Sequence, residues 1–397
     1  MWGAFTLTHS LTHTPTHFFV NILWLSPEPP LPPYTGGRER SRRMLEYVAA
    51  RHAVHLLTYA GPADAAELDA LRGRLAGLTA LPYPAAGRSY SAPLGGLVRR
   101  HLETAAGHAP WDAVHVQGLT LWPAAAAAGR AGMRRVLDLF DVPVLLRQRL
   151  LSVQTRARPW DRLVLAGLRW REARALRQAG AVIVTSAHDA ELLRRTHGAL
   201  PLVIVPNGVD LAHWAAPSHA PEAAHILFPG ALNYAPNIDA AQVLVQAVLP
   251  RVLAQAPTAR LVIAGRAPDP AVIALATGHP AVTLTADPPD MRPLLARAAV
   301  VAVPLRAGSG TRLKILQALA AGRPVVSTPL GAEGLDLAPG RHLSIAPLVE
   351  AFADEIIRLL CDPPAREALA KDGPAAVAHY DWSRQLPFLD AVYPGET

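Results

Sequence analysis

Short apolar runs alternate along the chain with longer segments in which apolar residues recur at helical spacing. Runs of this kind, rich in valine and isoleucine, predict strands that are buried on both faces of a parallel sheet. The amphipathic segments between them predict the helices that cover such a sheet. Six strands are predicted in the first half, at residues 18–25, 54–59, 113–117, 135–139, 181–185 and 202–205.

The same alternation restarts after Asn207-Gly208, which indicates a second α/β half of similar size and a linker near residues 206–221. The first 17 residues, rich in threonine and histidine, are predicted to be a loose tail. Five strands are predicted in the second half, at residues 226–228, 260–264, 282–285, 300–303 and 325–327.

Helices are predicted where the apolar periodicity is clearest and where proline or glycine marks an end. The last predicted helix lies beyond the second sheet and could pack on either half. The main predicted helices span residues 38–51, 237–255, 311–321, 365–380 and 383–393.

Composition narrows the class of protein. Of the 397 residues, 51% are hydrophobic and 17% are charged, which argues against a disordered chain. The single cysteine, Cys361, excludes an intramolecular disulfide and fits a reducing compartment. No stretch of about 18 residues is apolar enough to predict a membrane span, and the apolar run at 18–25 lacks the basic flank of a signal peptide.

Nearly all the basic residues are arginines. The formal net charge is +7, and of the 38 basic residues only Lys314 and Lys371 are lysines. Since this chain places arginine almost wherever a positive charge is needed, a lysine is an uncommon choice. Lysine presents a compact point charge, whereas arginine presents a planar fork.

The predicted strand 300–303 leads into a loop with two glycines and then into a helix. Ligands of open α/β sheets bind beyond the carboxyl ends of the strands, and a helix start offers unpaired N–H groups to an anion. Arg312 and Lys314 add two positive charges there, which oppose the helix dipole unless an anion is bound. The segment predicts a phosphate or diphosphate site; the alternative is a solvated helix start.

Other candidates in the first half each have a simpler alternative. Gly36-Gly37 could cradle a phosphate or form a plain turn. His115, near the end of a buried strand, could face a cleft and contact a sugar hydroxyl or an acid leaving group, or it could be a core histidine. Asp138 and Asp141 could form a carboxylate site or begin a loop. Three histidines of the tail have helical spacing but are interpreted as incidental rather than as metal ligands: His9, His13 and His17.

The segment 134–177 holds eleven arginines against four acidic residues, with leucines and valines between them. Such a stretch could rest on an anionic membrane surface. The alternative is a solvated helical face whose apolar residues point to the core. Nucleic acid is not a predicted partner, because no recognised binding motif accompanies the charge.

Six segments together are highly specific, although each alone is common: 21–26 with Gly36-Gly37, 112–117, 205–210, 228–237, 261–266 and 304–334. On these segments the chain resembles, from about residue 20 to residue 393, the retaining GT-B glycosyltransferases of glycosyltransferase family four. The resemblance implies an α/β fold with two facing Rossmann-like domains, at residues 18–208 on the acceptor side and 209–380 for the nucleotide sugar. It also implies that a C-terminal helix at 381–397 returns to the first domain.

The function implied is retaining transfer of a hexose-type sugar from a nucleotide diphosphate donor to a hydroxyl of a glycan or lipid-linked acceptor. No cofactor or metal is expected. The setting would be the cytoplasm, at the inner membrane face, in cell-surface polysaccharide or glycoconjugate biosynthesis. The predicted catalytic residues are His115, Arg312 and Lys314, the last two because positive charge helps a diphosphate to leave. The predicted donor-binding residues are Gly36, Gly37, Gly230, Asn233, Arg266, Gly310, Thr311, Gln317 and Glu333.

Two departures from that family leave other functions open. Where many members carry a pair of glutamates, this chain has Ser309 and Gln317, and residues 230–237 lack a basic pair often found there. Gln317 could still bind a ribose hydroxyl, as a neutral group. A nucleotide-sugar epimerase and a degenerate scaffold that binds a sugar nucleotide or a partner without turnover remain alternatives.

Overall fold

A computed structural model describes the backbone of residues 5–8 and residues 20–31, 36–85, 88–104, 111–153, 158–215, 221–222 and 224–393. The chain divides into two compact units. Unit 1 comprises Met1–Val144, Arg162–Val205 and Leu386–Thr397, and unit 2 comprises Leu145–Asp161 and Pro206–Gln385. The main division, between Val205 and Pro206, therefore falls at the start of the predicted linker, shortly before the domain boundary predicted after residue 208. The chain returns to unit 1 at Leu386, whereas the returning segment was predicted to begin at 381.

Unit 1 is built on one sheet. Its described strands are β1 (Phe5–Thr8), β2 (Asn21–Leu25), β3 (Ala53–Tyr59), β4 (Gly77–Leu81), β5 (Ala113–Gln117), β6 (Arg134–Leu139), β7 (Ala181–Val184) and β8 (Leu202–Ile204). The order across the sheet is β1-β4-β3-β2-β5-β6-β7-β8, and β1 runs antiparallel to β4 while the other pairs are parallel. The chain order reverses between β2 and β5, so a ligand crevice is expected beyond their carboxyl ends.

Helices cover this sheet, and the end of the chain closes its core. Leu389, Val392 and Tyr393 are buried in the hydrophobic core of unit 1. The helices are α1 (Gly36–Ala49), α2 (Ala65–Arg72), α3 (Ser91–Thr104), α4 (Ala126–Arg130), α5 (Pro143–Val153), α6 (Asp161–Gln178) and α7 (Ala187–His197), with 3-10 turns at Pro62–Asp64, Leu119–Ala125 and Leu386–Ala391. From Leu145 onward, α5 belongs to unit 2.

Unit 2 contains a second parallel sheet. Its strands are β9 (His225–Pro229), β10 (Arg260–Gly265), β11 (Val282–Ala286), β12 (Val300–Val303), β13 (Val325–Ser327) and β14 (Ser344–Ile345), in the order β11-β10-β9-β12-β13-β14. The whole of β12 is fully buried, as its run of valines predicts. Here the chain order reverses between β9 and β12.

The helices of unit 2 are interrupted where proline or glycine requires it. They are α8 (Leu211–Trp214), α9 (Ala235–Val243), α10 (Leu249–Gln255), α11 (Pro270–Thr277), α12 (Arg292–Arg297), α13 (Leu313–Ala320), α14 (Glu350–Cys361), α15 (Pro363–Lys371), α16 (Gly373–Ala376) and α17 (Trp382–Gln385), with a π-helical turn at Leu244–Val248 and a 3-10 turn at Ala378–Tyr380. No helix in the described ranges is long and apolar enough to cross a membrane.

All eleven predicted strands are present, with small shifts at their ends, although the start of the first lies outside the described residues. Three strands were not predicted: β1, β4 and β14. The first of these lies in the segment predicted to be a loose tail. Strand β4 has only five residues, and glycine and threonine are two of them, so it contains no apolar run that stands out.

The helix predicted at 237–255 is instead α9, the π turn and α10. Pro250 has no N–H to donate and its ring crowds the preceding turn, which displaces the regular helical bonds. The prediction of one helix at 365–380 was wrong for a similar reason, since Gly373-Pro374 breaks it. The predicted C-terminal helix is likewise two short turns, Trp382–Gln385 and Leu386–Ala391, and Pro387 lies at the start of the second.

His115 lies in the core of unit 1. Its ring is stacked on Trp24 at 3.6 Å between centroids, and its Nδ1 lies 2.5 Å from the hydroxyl of Tyr393. The side chain is fully buried, and burial lowers its pKa. The prediction that His115 faces a cleft was wrong, because the side chain is fully buried in the core of unit 1, where it contacts Trp24 and Tyr393.

Asp138 is the negatively charged member of a buried polar cluster that also contains Arg40 and His115. One carboxylate oxygen lies 3.5 Å from Nη2 of Arg40 and the other 3.7 Å from Nε2 of His115. Burial alone would raise the pKa of Asp138, but Arg40 and His115 hold it below its ordinary value. Arg40 also donates to the carbonyl of Val205 at 2.9 Å. The candidate carboxylate site is therefore a buried ion pair of unit 1.

We expect Asp138→Asn to destabilise the protein by about 3–5 kcal/mol, because it leaves the buried guanidinium of Arg40 without its counter-charge. Denaturant unfolding measures the loss. Asp69→Asn is the matched control: it breaks an exposed pair with Arg72 at 2.9 Å, and a change within about 0.5 kcal/mol is expected. Similar small losses for both variants would contradict the assignment.

Candidate active site

Two loops leave the sheet of unit 2 where its strand order reverses. Residues 230–233 follow β9, and residues 304–312 follow β12 and end at the N-cap of α13. Since β9 and β12 are parallel neighbours, both loops emerge at the same edge of the sheet. This is the position at which open α/β sheets bind ligands.

The guanidinium of Arg312 folds back into the glycine loop. Its Nη1 donates to the carbonyl oxygens of Ser309 and Gly310, and the residue is 8% exposed. Gly308, at a φ of 143°, makes room for it, since a Cβ there would lie 2.7 Å from Nη2. Gly310 has a φ of 70°, which also favours glycine. Arg312 therefore shapes the loop from inside.

Lys314, the second residue of α13, carries the ammonium group of the site. Its Nζ donates to Oδ1 of Asn237 at 2.8 Å and lies 4.7 Å from the centre of the Phe228 ring. Burial lowers the pKa of Lys314 to about 7, and repulsion from Arg312 adds to the shift. No carboxylate in the described part of the chain forms an ion pair with it.

Gly230 and Gly265 bring the loops after β9 and β10 into close approach. A Cβ on Gly265, whose φ is 156°, would lie 1.6 Å from the carbonyl oxygen of Gly230. A Cβ on Gly230 would lie 2.9 Å from Nζ of Lys314 and 2.8 Å from Nδ2 of Asn237. The two glycines thus leave the space that the lysine needs.

Neutral polar groups accompany the two cations. Ser309 and Thr311 are buried, and Oγ1 of Thr311 has no hydrogen-bond partner among the described residues. The Thr311 carbonyl accepts a hydrogen bond from Nδ2 of Asn207 at 3.1 Å. Gln317 follows Lys314 by three residues on α13, so both lie on one face of that helix. Hydroxyl, amide and ammonium groups of this kind suit an anionic, hydroxyl-bearing ligand.

Arg149 is a site residue that the sequence did not single out. Its guanidinium forms a bidentate ion pair with Glu333, at 2.6 and 2.8 Å, and also donates to the carbonyl of Gly308 at 2.8 Å. The pair joins the glycine loop to the segment after β13. Glu333 was predicted to bind the donor, and its carboxylate is already engaged by Arg149.

The remaining predicted residues lie in other loops. In unit 2, Asn233 is exposed and Arg266 is half-buried. In unit 1, Gly36 and Gly37 begin α1 after β2, and a Cβ on Gly37 would contact nothing within 4 Å. Packing among the described residues therefore does not require glycine at 37. Unit 2 brings together seven predicted residues: Gly230, Gly310, Thr311, Arg312, Lys314, Gln317 and Glu333.

The described residues contain no group of three histidine, cysteine, aspartate or glutamate side chains placed to hold a metal ion. The three tail histidines considered above lie outside the described residues. Metal-independent activity stays a prediction.

Two family models match the sequence. The "Glycosyl transferase 4-like domain" matches residues 35–208, and "Glycosyl transferases group 1" matches residues 223–362. Together they cover most of the chain, one in each half. No curated protein sequence matches it significantly.

Solved structures of similar fold cover nearly the whole chain. Sucrose-phosphate synthase from Thermosynechococcus elongatus has a TM-score of 0.72 at 19% identity, covering 94% of this chain and 98% of its own. HepE of Anabaena, in complex with UDP and glucose, has a TM-score of 0.70 at 16% identity, covering 94% and 99%. WaaG, a glycosyltransferase involved in lipopolysaccharide biosynthesis, has a TM-score of 0.64 at 15% identity, covering 94% and 100%. With both halves matched and this fold shared, the chain belongs to the group 1 glycosyltransferases of the GT-B type.

Proposed function

We propose that the protein transfers a hexose-type sugar from a nucleotide diphosphate donor to a hydroxyl of a glycan or lipid-linked acceptor. The observation that carries the proposal is the ammonium of Lys314, held at the start of α13 beside a glycine loop and next to Arg312. An anion at this point would be attracted by both side chains and by the helix start.

The diphosphate is the part of the donor that this arrangement fits. When the bond between the sugar carbon and the diphosphate oxygen breaks, negative charge grows on the leaving group, and Lys314 stabilises it. Arg312 acts chiefly by holding the loop, since its Nη1 binds the carbonyls of Ser309 and Gly310. The ammonium of Lys314, with the guanidinium of Arg312 beside it, supplies the positive charge that a metal ion would otherwise provide, so we propose metal-independent transfer.

We propose that the reaction retains the anomeric configuration. The acceptor hydroxyl would attack from the face that the diphosphate leaves, and its proton would pass to the departing phosphate oxygen. No enzymic nucleophile is required. The hydroxyl of Thr311 and the amide of Gln317 are proposed to bind donor hydroxyl groups. That Gly36 and Gly37 bind a phosphate stays a prediction from the sequence.

The cell compartment and pathway are also proposals. The single thiol of Cys361 fits the cytoplasm. Cell-surface polysaccharide or glycoconjugate biosynthesis is proposed because the similar structure of WaaG belongs to a lipopolysaccharide enzyme.

UDP-glucose is the first donor to test, because a structure of HepE contains it. Purified protein is incubated with sugars of uridine, guanosine and adenosine diphosphate, and release of the nucleoside diphosphate is followed with and without acceptor. A changed sugar without that release would indicate an epimerase. Binding without any turnover would indicate a degenerate scaffold, which Ser309 and Gln317 favour.

Lys314→Met is expected to lower kcat/KM for the donor by about ten- to a hundred-fold, the effect of losing a charge-assisted contact. Donor hydrolysis measures this without a known acceptor. Lys371→Met is the matched control, because it removes the other lysine, which is exposed at the end of α15. Unchanged kinetics in Lys314→Met would show that the ammonium does not contact the donor.

Donor affinity is expected to fall as the pH rises above about 7, because free Lys314 loses its proton there. Folding stability should change in the opposite direction. The folded-state pKa lies below the ordinary value of 10.5, so the unfolded chain binds the extra proton between these values and stability rises with pH across that window. Calorimetric titration with the donor and thermal unfolding measure the two slopes.

Titration of Lys314 contributes to the pH dependence of both donor affinity and folding stability. This contribution should be absent in Lys314→Met and present in Lys371→Met. If both variants kept the wild-type pH dependence of donor affinity, the assignment of the ammonium to the diphosphate would be refuted.

A further inference from the structure

The outer face of α6 exposes large apolar side chains. Leu163 is 75% exposed, Trp170 is 62% exposed and Val164 is 44% exposed. Scattered exposed apolar residues are ordinary, but these three lie within eight consecutive residues of one helix and form a concentrated patch.

The helical spacing places much of this patch on one side. Leu163, Gly167, Trp170 and Arg174 recur at intervals of four, three and four residues, which is one face of a helix. The opposite face is buried, at Glu172, Ala175 and Leu176 among others. The helix therefore packs on unit 1 by one side and presents the apolar patch on the other.

The acids of α6 do not balance its exposed charge. Asp161 is buried and binds Nη2 of Arg147 at 2.6 Å, and Glu172 is buried and accepts from the backbone N–H of Val144 at 3.0 Å. In the described part of the chain, no carboxylate forms an ion pair with any of the five arginines exposed on α6: Arg162, Arg169, Arg171, Arg174 and Arg177.

An arginine of this face also contacts the indole. The guanidinium of Arg174 lies 5.6 Å from the ring centre of Trp170. Tryptophan and arginine side by side suit the level at which lipid headgroups meet acyl chains, since the indole is amphipathic and the guanidinium binds phosphate.

We propose that the outer face of α6 docks on an anionic lipid bilayer, with the helix parallel to the surface. Leu163 and Trp170 enter the headgroup region, and the arginines contact lipid phosphates. A second copy is a poorer occupant, because a two-fold contact would bring the same five arginines together without acids. This inference does not depend on the sugar transfer proposed above.

The test uses the full chain and vesicles of phosphatidylcholine alone or of equimolar phosphatidylcholine and phosphatidylglycerol. Co-sedimentation is expected with the anionic vesicles and is expected to weaken at high salt. Arg171→Gln with Arg174→Gln should lower the partition coefficient roughly thirty-fold. Leu163→Ser with Trp170→Ser should lower it about ten-fold or more.

Matched controls lie on other helices. Arg99→Gln with Arg100→Gln removes two exposed arginines of α3, and Ile273→Ser removes an exposed apolar side chain of α11. Both controls should bind vesicles as the wild type does. Thermal unfolding of every variant should match the wild type, because all the altered side chains are exposed.

Brominated acyl chains give a second readout. They should quench part of the tryptophan emission, and Trp170→Phe should lose that part while still binding. Equal vesicle binding by face and control variants would overturn the proposal. So would an absence of vesicle binding combined with self-association or nucleic-acid binding that the face variants abolish. No assay contains a nucleotide sugar, so the outcome is separate from that of the transfer experiments.

Discussion

The positive charge of Lys314 determines which residues can surround it at the carboxyl ends of β9 and β12 in unit 2. A lysine next to an arginine at the start of a helix opposes the helix dipole, and burial adds to the penalty. The charge is tolerated because Asn237 accepts a hydrogen bond from it and the face of the Phe228 ring attracts it. Gly230 leaves the space for it. Loops after two different strands are thus shaped around one ammonium group.

The two units bury charge in different ways. In unit 1, Arg40 lies beside Asp138, and the pKa of Asp138 stays low because its counter-charge is present. In unit 2, Lys314 has a neutral partner and a pKa lowered to about 7. A buried charge beside its counter-charge is common in a structural core, where removing one partner is costly, whereas a buried charge without one is typical of a binding site. This contrast separates the structural His115 cluster from the candidate donor site.

Much of this could be read from the sequence. Runs of β-branched residues such as 300–303 predicted both sheets, and glycines before a basic helix start predicted the loop that precedes α13, whose binding of a diphosphate stays a proposal. The pair of Arg149 and Glu333 could not be predicted, because 184 residues separate its members and nothing marks one arginine among eleven. The location of His115 failed for a related reason: strand periodicity shows that a position is buried but not what it contacts. The breaks in the C-terminal helices could have been predicted from Gly373-Pro374 and from Pro387. The amphipathic spacing instead predicted continuous helices.

The order in which the chain visits the two units has a practical consequence. It passes from one to the other four times, at residues 144–145, 161–162, 205–206 and 385–386. A fragment ending at Val205 would lack Leu389, Val392 and Tyr393, and would present their apolar cavity to water. A fragment beginning at Pro206 would lack Arg149 and leave Glu333 without its guanidinium. Neither half can be expressed intact as a single uninterrupted piece, so dissection of this enzyme calls for circular permutation or co-expressed segments.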